Sequence, residues 1–244
     1  MEIQGKTALV TGAAKRIGRQ IALLLAEEGM NLLLHYRQSE REVRQTQKEA
    51  EQYGVRVDLL KADLGRFSEV RGLVRKAFQK SPQIHVLINN ASVFFRTPLG
   101  RVREKDWNDF FNVNLKAPFF LADAIGRRMV RQGGGKIVNL IDWTAFHPHP
   151  DFLPYAASKA GLVTVTQGLA RALAPHVQVN AVAPGPILPA RGSSAKENQK
   201  VIARTPLKRF GDPQDIAEAV RFLVKATDFV TGAVIPVDGG NLIA

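Results

Sequence analysis

KTALVTGAAKRIG, residues 6–18, decides the fold. Its first half is a short apolar run that ends in Thr11-Gly12, as a buried strand does when it leaves a sheet. Its second half opens a helix: Ile17, Ile21, Leu24 and Leu25 recur at helical spacing, and Gly29 supplies a stop. Gly12 permits the tight turn between the two, and Gly18 permits close helix packing. A strand, a glycine turn and a helix in that order present free backbone N–H groups at the helix N-terminus, where an anion binds.

The same alternation continues to the end of the chain. Strands are expected at 31–36, 55–63, 84–91, 133–141, 177–185 and 233–240, with the first at 6–12. Helices are expected at 16–29, 39–53, 67–80, 104–131, 153–174 and 213–225, the last opened by Asp212-Pro213. The strands are continuously apolar, so both faces of the sheet must be covered. This predicts an α/β chain with a single domain over 1–244: a Rossmann-type, doubly wound, seven-stranded parallel sheet with helices on both faces. The least regular stretch, PGPILPARGSSAKENQK (184–200), follows a strand's C-terminal end, where such sheets bind ligands. A mobile substrate loop is expected over 184–204.

Composition narrows the function. The chain has 244 residues and no cysteine, which excludes disulfides and thiolate metal sites and fits a reducing cytoplasm. The N-terminus enters a strand at once, without the pattern of a secretory signal, and no apolar run approaches the ~18 residues of a membrane span. The net charge is +12, but its cations are scattered and no basic block is interleaved with aromatics. This argues for small anionic ligands and against nucleic acid or membrane partners. His147 and His149 have no third ligand in evidence, so no metal is expected.

The residues after the second strand choose the cofactor. A site for NAD usually places an acid there for the ribose hydroxyls. The run His35, Tyr36, Arg37, Gln38, Ser39 has none, and Lys15 and Arg16 lie inside the phosphate turn. Arg16, Arg37 and Ser39 suit a 2′-phosphate, so NADP(H) is the expected cofactor.

T-G-x(5)-G, Asp63-Leu64, Asn89-Asn90-Ala91, Asn114 in N-V-N, Tyr155-x-x-x-Lys159 and Pro184-Gly185 occur in order along the chain. Together they resemble the short-chain dehydrogenase/reductase family. One departure is Arg16, where the family's commonest turn has glycine. TGAAKRIG, HYR-x-S, NNAS-x-F-x-x-TPL (89–99) and Asp142 ahead of Tyr155 are most similar to the pteridine reductase subgroup. The resemblance implies that Gly12, Lys15, Arg16, Ile17, Gly18, His35, Tyr36, Arg37, Ser39, Asp63, Leu64, Asn90, Ala91, Ser92, Pro184, Gly185 and Ile187 surround the cofactor. It implies that Lys159 binds the nicotinamide ribose and that Asn114 holds a water in a proton relay. It places Arg16, Ser92 and Phe94 at a pterin or folate, and it implies a homotetramer. The chain departs from the subgroup at Arg37, Gln38, Arg96, His147 and His149.

Tyr155 and Lys159, four apart on a helix, share a face. A nearby ammonium should make the tyrosine a better proton donor. Asp142 lies thirteen residues before Tyr155 (155 − 142), where a carbonyl reductase of this type has serine. An ionised carboxylate would repel the charge that grows on a carbonyl oxygen. A ring C=N instead needs a proton on nitrogen, which Asp142 with a raised pKa can help deliver through Tyr155. The expected activity is hydride transfer to dihydropterin or dihydrofolate. The alternative is reduction of a carbonyl compound such as a 3-oxoacyl thioester or a sugar.

Overall fold

In the computed structural model, which describes residues 1–189 and 192–244, the chain alternates strand and helix as expected. The strands are β1 (Thr7–Val10), β2 (Asn31–Tyr36), β3 (Val57–Lys61), β4 (Val86–Asn89), β5 (Gly135–Leu140), β6 (Val177–Pro184) and β7 (Val234–Val237). They form one parallel sheet in the order β3-β2-β1-β4-β5-β6-β7. The chain builds outward from β1 to β3, then returns to the other side of β1 with β4. That reversal opens a crevice at the C-terminal ends of β1 and β4, the usual ligand site of such sheets.

Side-chain alternation divides the core in two. Ala8, Val10, Leu32 and Leu34 face helices α1 (Arg16–Glu27), α2 (Glu40–Glu51) and α8 (Pro213–Arg221), where Ile21, Leu25, Val43, Ile216 and Val220 are buried. Leu9, Leu33, Leu87 and Ile137 face the other way, towards α3 (Phe67–Lys80), α5 (Ala117–Arg131) and α6 (Leu153–Ala172). No helix among the described residues is long and apolar enough to cross a membrane.

Two expectations are refined. The helix expected over 104–131 is present and unbroken but changes pitch: α4 (Glu104–Phe111) and α5 are joined by a π turn at Asn112–Lys116. The hydrophobic period runs through that turn, so spacing alone hides it; π turns recur where a side chain must be re-aimed, and here the residue is Asn114. The stretch expected to be irregular contains helix α7 (Ala195–Arg204). Ser194 and Glu197 form a capping box at its start, a signal present in the sequence as S-A-K-E. Residues 190 and 191 of the expected substrate loop lie outside the described residues.

Candidate active site

Thr11 stitches the crevice together. Its hydroxyl donates to the Ile88 carbonyl (3.2 Å) and accepts from the backbone N–H groups of Asn90 (2.9 Å) and Ala91 (3.0 Å). The Asn90 amide donates back to the carbonyls of Thr11 and Gly12. A Cβ on Gly18 would lie 2.3 Å from the Gly12 carbonyl oxygen and 2.4 Å from Nδ2 of Asn90, so only glycine lets α1 start this close to the turn. His35 is buried beneath the turn: Nδ1 accepts from Gly12 N–H and Nε2 faces the Ala62 carbonyl. Burial lowers its pKa to about 4, so it is a neutral brace with both ring nitrogens spent inside the scaffold.

The α1 N-terminus fits a phosphate. Lys15 at the cap makes no side-chain cap bond, and no acid occupies the first turn, which leaves the leading N–H groups to a ligand. Arg16 is exposed, with φ +54°, and its guanidinium reaches the Pro189 carbonyl at 3.5 Å. Lys15 is held by Glu42 at 2.6 Å. Arg37 is half exposed and faces Asp63 only at 3.9 Å, and the Ser39 hydroxyl makes no cap bond to α2. Tyr36 and Leu64 are buried against this edge. Arg16, Arg37 and Ser39 thus keep donors available for a 2′-phosphate, whereas Lys15 is drawn to α2. On the far side, a Cβ on Gly185 would lie 2.5 Å from the Asp238 Cα, and the Ile187 side chain is buried in the core.

Tyr155 lies buried in the first turn of α6, beside the residues that follow β5. Its hydroxyl donates to Oδ2 of Asp142 at 2.9 Å. Oδ1 of Asp142 accepts from the backbone N–H (2.9 Å) and hydroxyl (2.7 Å) of Thr144. Asp142 therefore caps the turn Trp143–Ala145 and reaches the tyrosine at once. Loss of water raises the Asp142 pKa, against the bonds from Thr144 and Tyr155. Lys159 is buried and donates to the Leu140 carbonyl at 2.8 Å, and burial lowers its pKa to about 8.

The sequence argument has Lys159 making Tyr155 more acidic; burial of the phenol works in the other direction. The ammonium lies 5.9 Å from the tyrosine ring centre and gives one donor to the Leu140 carbonyl. Burial and the Asp142 carboxylate push the phenol well above its ordinary value.

Asn114 is fully buried and saturated. Its Nδ2 donates to the Val93 carbonyl (3.1 Å) and to Ser158 Oγ (3.3 Å), and its Oδ1 accepts from Val93 N–H (2.9 Å) and Ser92 Oγ (3.1 Å). That exhausts an amide's two donors and two lone pairs, so a water held at Asn114 must sit on its backbone. Ser158 in turn donates to the Tyr155 carbonyl at 2.6 Å. Phe94 is 52 % exposed, stacked on Phe152 at 4.8 Å and edge-on to Tyr155 at 4.8 Å. Arg96 clamps Asp151 beside that stack. His147 stacks on Trp143, and His149 accepts from Asp151 N–H.

Sequence reasoning missed Thr11, Thr144, Phe152 and Ser158. Ser158 lies inside the Tyr155–Lys159 spacing and Thr11 beside Gly12, so both were in view. Phe152 and Thr144 join the site only through contacts across the fold.

Residues 12–241 match the sequence profile of a family described as Enoyl-(Acyl carrier protein) reductase. The 3-oxoacyl-[acyl-carrier-protein] reductase FabG of Staphylococcus epidermidis is 36% identical over 239 residues, covering 96% of this chain and 98% of its own. Its counterpart from Thermotoga maritima is 36% identical and both chains are covered in full. Among solved structures, a blue fluorescent protein from a metagenomic library, in complex with NADPH, superposes with a TM-score of 0.93 at 33% identity over the whole of both chains. With the sheet order, the glycine turn and the tyrosine–lysine pair in place, the chain belongs to the short-chain dehydrogenase/reductase family of NAD(P)-dependent oxidoreductases.

Proposed function

We propose an NADPH-dependent reductase whose substrate is a flat pterin-type heterocycle such as dihydropterin or dihydrofolate. The observation that carries this reading is the hydrogen bond from Tyr155 to Asp142. The cofactor supplies the hydride when bound. Arg16, Arg37 and Ser39 select its 2′-phosphate, and Lys159, with one of its three donors on Leu140, offers the rest to a ribose. Tyr155 gives a proton to the ring nitrogen, and Asp142, its pKa raised by burial, replaces that proton. Phe94 bounds the mouth with an aromatic face suited to a planar ring. The segment 184–204 serves as the substrate loop, tied to the phosphate turn where Arg16 meets Pro189.

A second reading, reduction of a 3-oxoacyl thioester, is favoured by the names of the two relatives above. It leaves Asp142 beside the oxygen that gains charge, with no hydroxyl at that position. Turnover of NADPH with dihydrobiopterin, dihydrofolate and a 3-oxoacyl thioester separates the two. Asp142→Ser should lower pterin reduction roughly 10²-fold while ketone reduction holds or rises. The native pterin rate should fall as pH rises and Asp142 loses its proton. A native enzyme that turns over only the thioester, or a serine variant with undiminished pterin reduction, overturns the pterin reading.

We also propose a cytoplasmic homotetramer, in which α4, α5 and α6 bury one another's exposed Trp107, Phe119 and Leu153. Light scattering of the purified protein tests the assembly.

A further inference from the structure

Arg96 and His149 have no part in the proton path described above, yet they meet at one residue, Asp151. We propose that Asp151, held by Arg96, straps the segment after β4 to the turn that opens α6, and that this strap sets Phe94 against Phe152 as one wall of the substrate mouth. Arg96 and Asp151 are positioning residues that act through Phe94. The inference rests on the proposed function in one point, that the substrate reacts at Tyr155.

Three observations carry it. First, Asp151 is held at its carboxylate, its carbonyl and its N–H. Oδ2 accepts from Nε (2.9 Å) and Nη2 (2.5 Å) of Arg96. The carbonyl accepts from the N–H of Thr97 (2.7 Å) and, at 3.4 Å, from the Thr97 hydroxyl. The N–H donates to Nδ1 of His149 at 3.2 Å. Second, the strap flanks both rings. Arg96 follows Phe94 by two residues, and Asp151 precedes Phe152 by one. The two rings stack at 4.8 Å with their planes 9° apart, and Phe94 lies edge-on to Tyr155 at 4.8 Å. The His149 ring packs on Phe152 from 5.7 Å. Third, the strap joins a wall in solvent to the core. Exposure alternates along residues 92–97, so Phe94 and Arg96 share the outer side of the segment. Phe95 and Thr97 turn inward: Phe95 stacks on buried Phe110 at 4.3 Å, and Thr97 is itself buried.

An exposed ring that is free to turn loses that freedom when a ligand packs on it. Ordering the ring beforehand removes the penalty, so the strap acts on substrate affinity rather than on the chemical step. An exposed ion pair contributes little by itself. Here the two guanidinium bonds act together with the two from Thr97 on the same residue. The bonds from Tyr155 to Asp142 and from Lys159 to Leu140 involve neither Arg96 nor Asp151, so the proton chemistry stays intact when the strap is cut.

The test uses the full-length protein with NADPH and whichever of dihydrobiopterin, dihydrofolate and a 3-oxoacyl thioester the native protein turns over fastest. Arg96→Ala should raise KM about three- to fivefold, the upper range for an exposed pair, with kcat nearly unchanged. Asp151→Ala should do the same. Phe94→Leu keeps an apolar side chain but removes the ring; in that background Arg96→Ala should add no further rise, because the strap then has no ring to set. Hydrogen exchange of the substrate-free protein supplies a second readout: the Thr97 N–H should exchange faster in Arg96→Ala than in the native protein. An unchanged KM in Arg96→Ala overturns the proposal. So does the same rise in the presence and absence of the Phe94 ring, a loss confined to kcat, or native exchange at Thr97. A native protein active only on the thioester overturns the pterin reading instead, and the same kinetics then decide the strap on that substrate.

Discussion

The two sides of the crevice hold their charges in opposite ways. After β1 and β2, Arg16 and Arg37 stand in water, and Arg37 has only a distant carboxylate for company. After β4 and β5, Lys159 and Tyr155 are buried, and the hydroxyl, amide and carboxyl groups around them bond to one another. Solvated cations act on a ligand by attraction, which salt weakens. Desolvated groups have shifted pKa values and act by holding or releasing protons. One side suits a bound anion and the other suits proton chemistry.

The largest expected effect tests the reacting side. Tyr155→Phe deletes the phenolic proton and keeps the ring against Phe94, so turnover should fall roughly 10³-fold or more while NADPH affinity by calorimetry stays near native. Loss of cofactor binding in parallel would show that the tyrosine supports the binding side as well.

Lys159 gives the next. Its folded pKa of about 8 lies below the ordinary 10.5, so the unfolded chain holds a proton that the folded protein lacks between those values. Stability therefore rises with pH across about 8 to 10.5, and is lost as pH falls through 8, by on the order of 3 kcal/mol at ~1.4 kcal/mol per unit. Chemical denaturation of the cofactor-free protein should show this slope, and Lys159→Met should flatten it. Parallel curves for the two proteins would mean that the ammonium is not desolvated.

The smallest belongs to the binding side. Arg37→Asp should weaken NADPH about 10–100-fold, the scale of a lost charge-assisted bond, with little effect on NADH. The native preference for NADPH should shrink as salt is raised. A preference that ignores salt would place the discrimination in a buried contact instead.

Much of this division was legible in the sequence, because it rests on local rules. All seven strands are there, since continuous apolar runs between helices leave a parallel sheet little freedom. Tyr155 and Lys159 share a face because helical spacing dictates it. Asp142 beside Tyr155 was an expectation from position, and the structure brings the two within 2.9 Å. The direction of the Tyr155 pKa was not legible. It depends chiefly on burial of the phenol in the assembled fold, which helical spacing does not show. Helix α7 was hidden for a different reason: it buries no residue, so it carries no core-facing stripe for periodicity to find, and only its capping box betrays it.

Arg16 sets a trap for anyone engineering this enzyme. Its left-handed backbone (φ +54°) is one that glycine adopts freely and arginine resists by about 1–2 kcal/mol. A stability screen, or a design program that substitutes the family's commonest residue, would choose glycine there and record a gain. The hardier protein would have lost a guanidinium between the phosphate turn and Pro189. Backbone ease and the guanidinium are set against each other at a single angle, so a screen here has to score NADPH binding as well as stability.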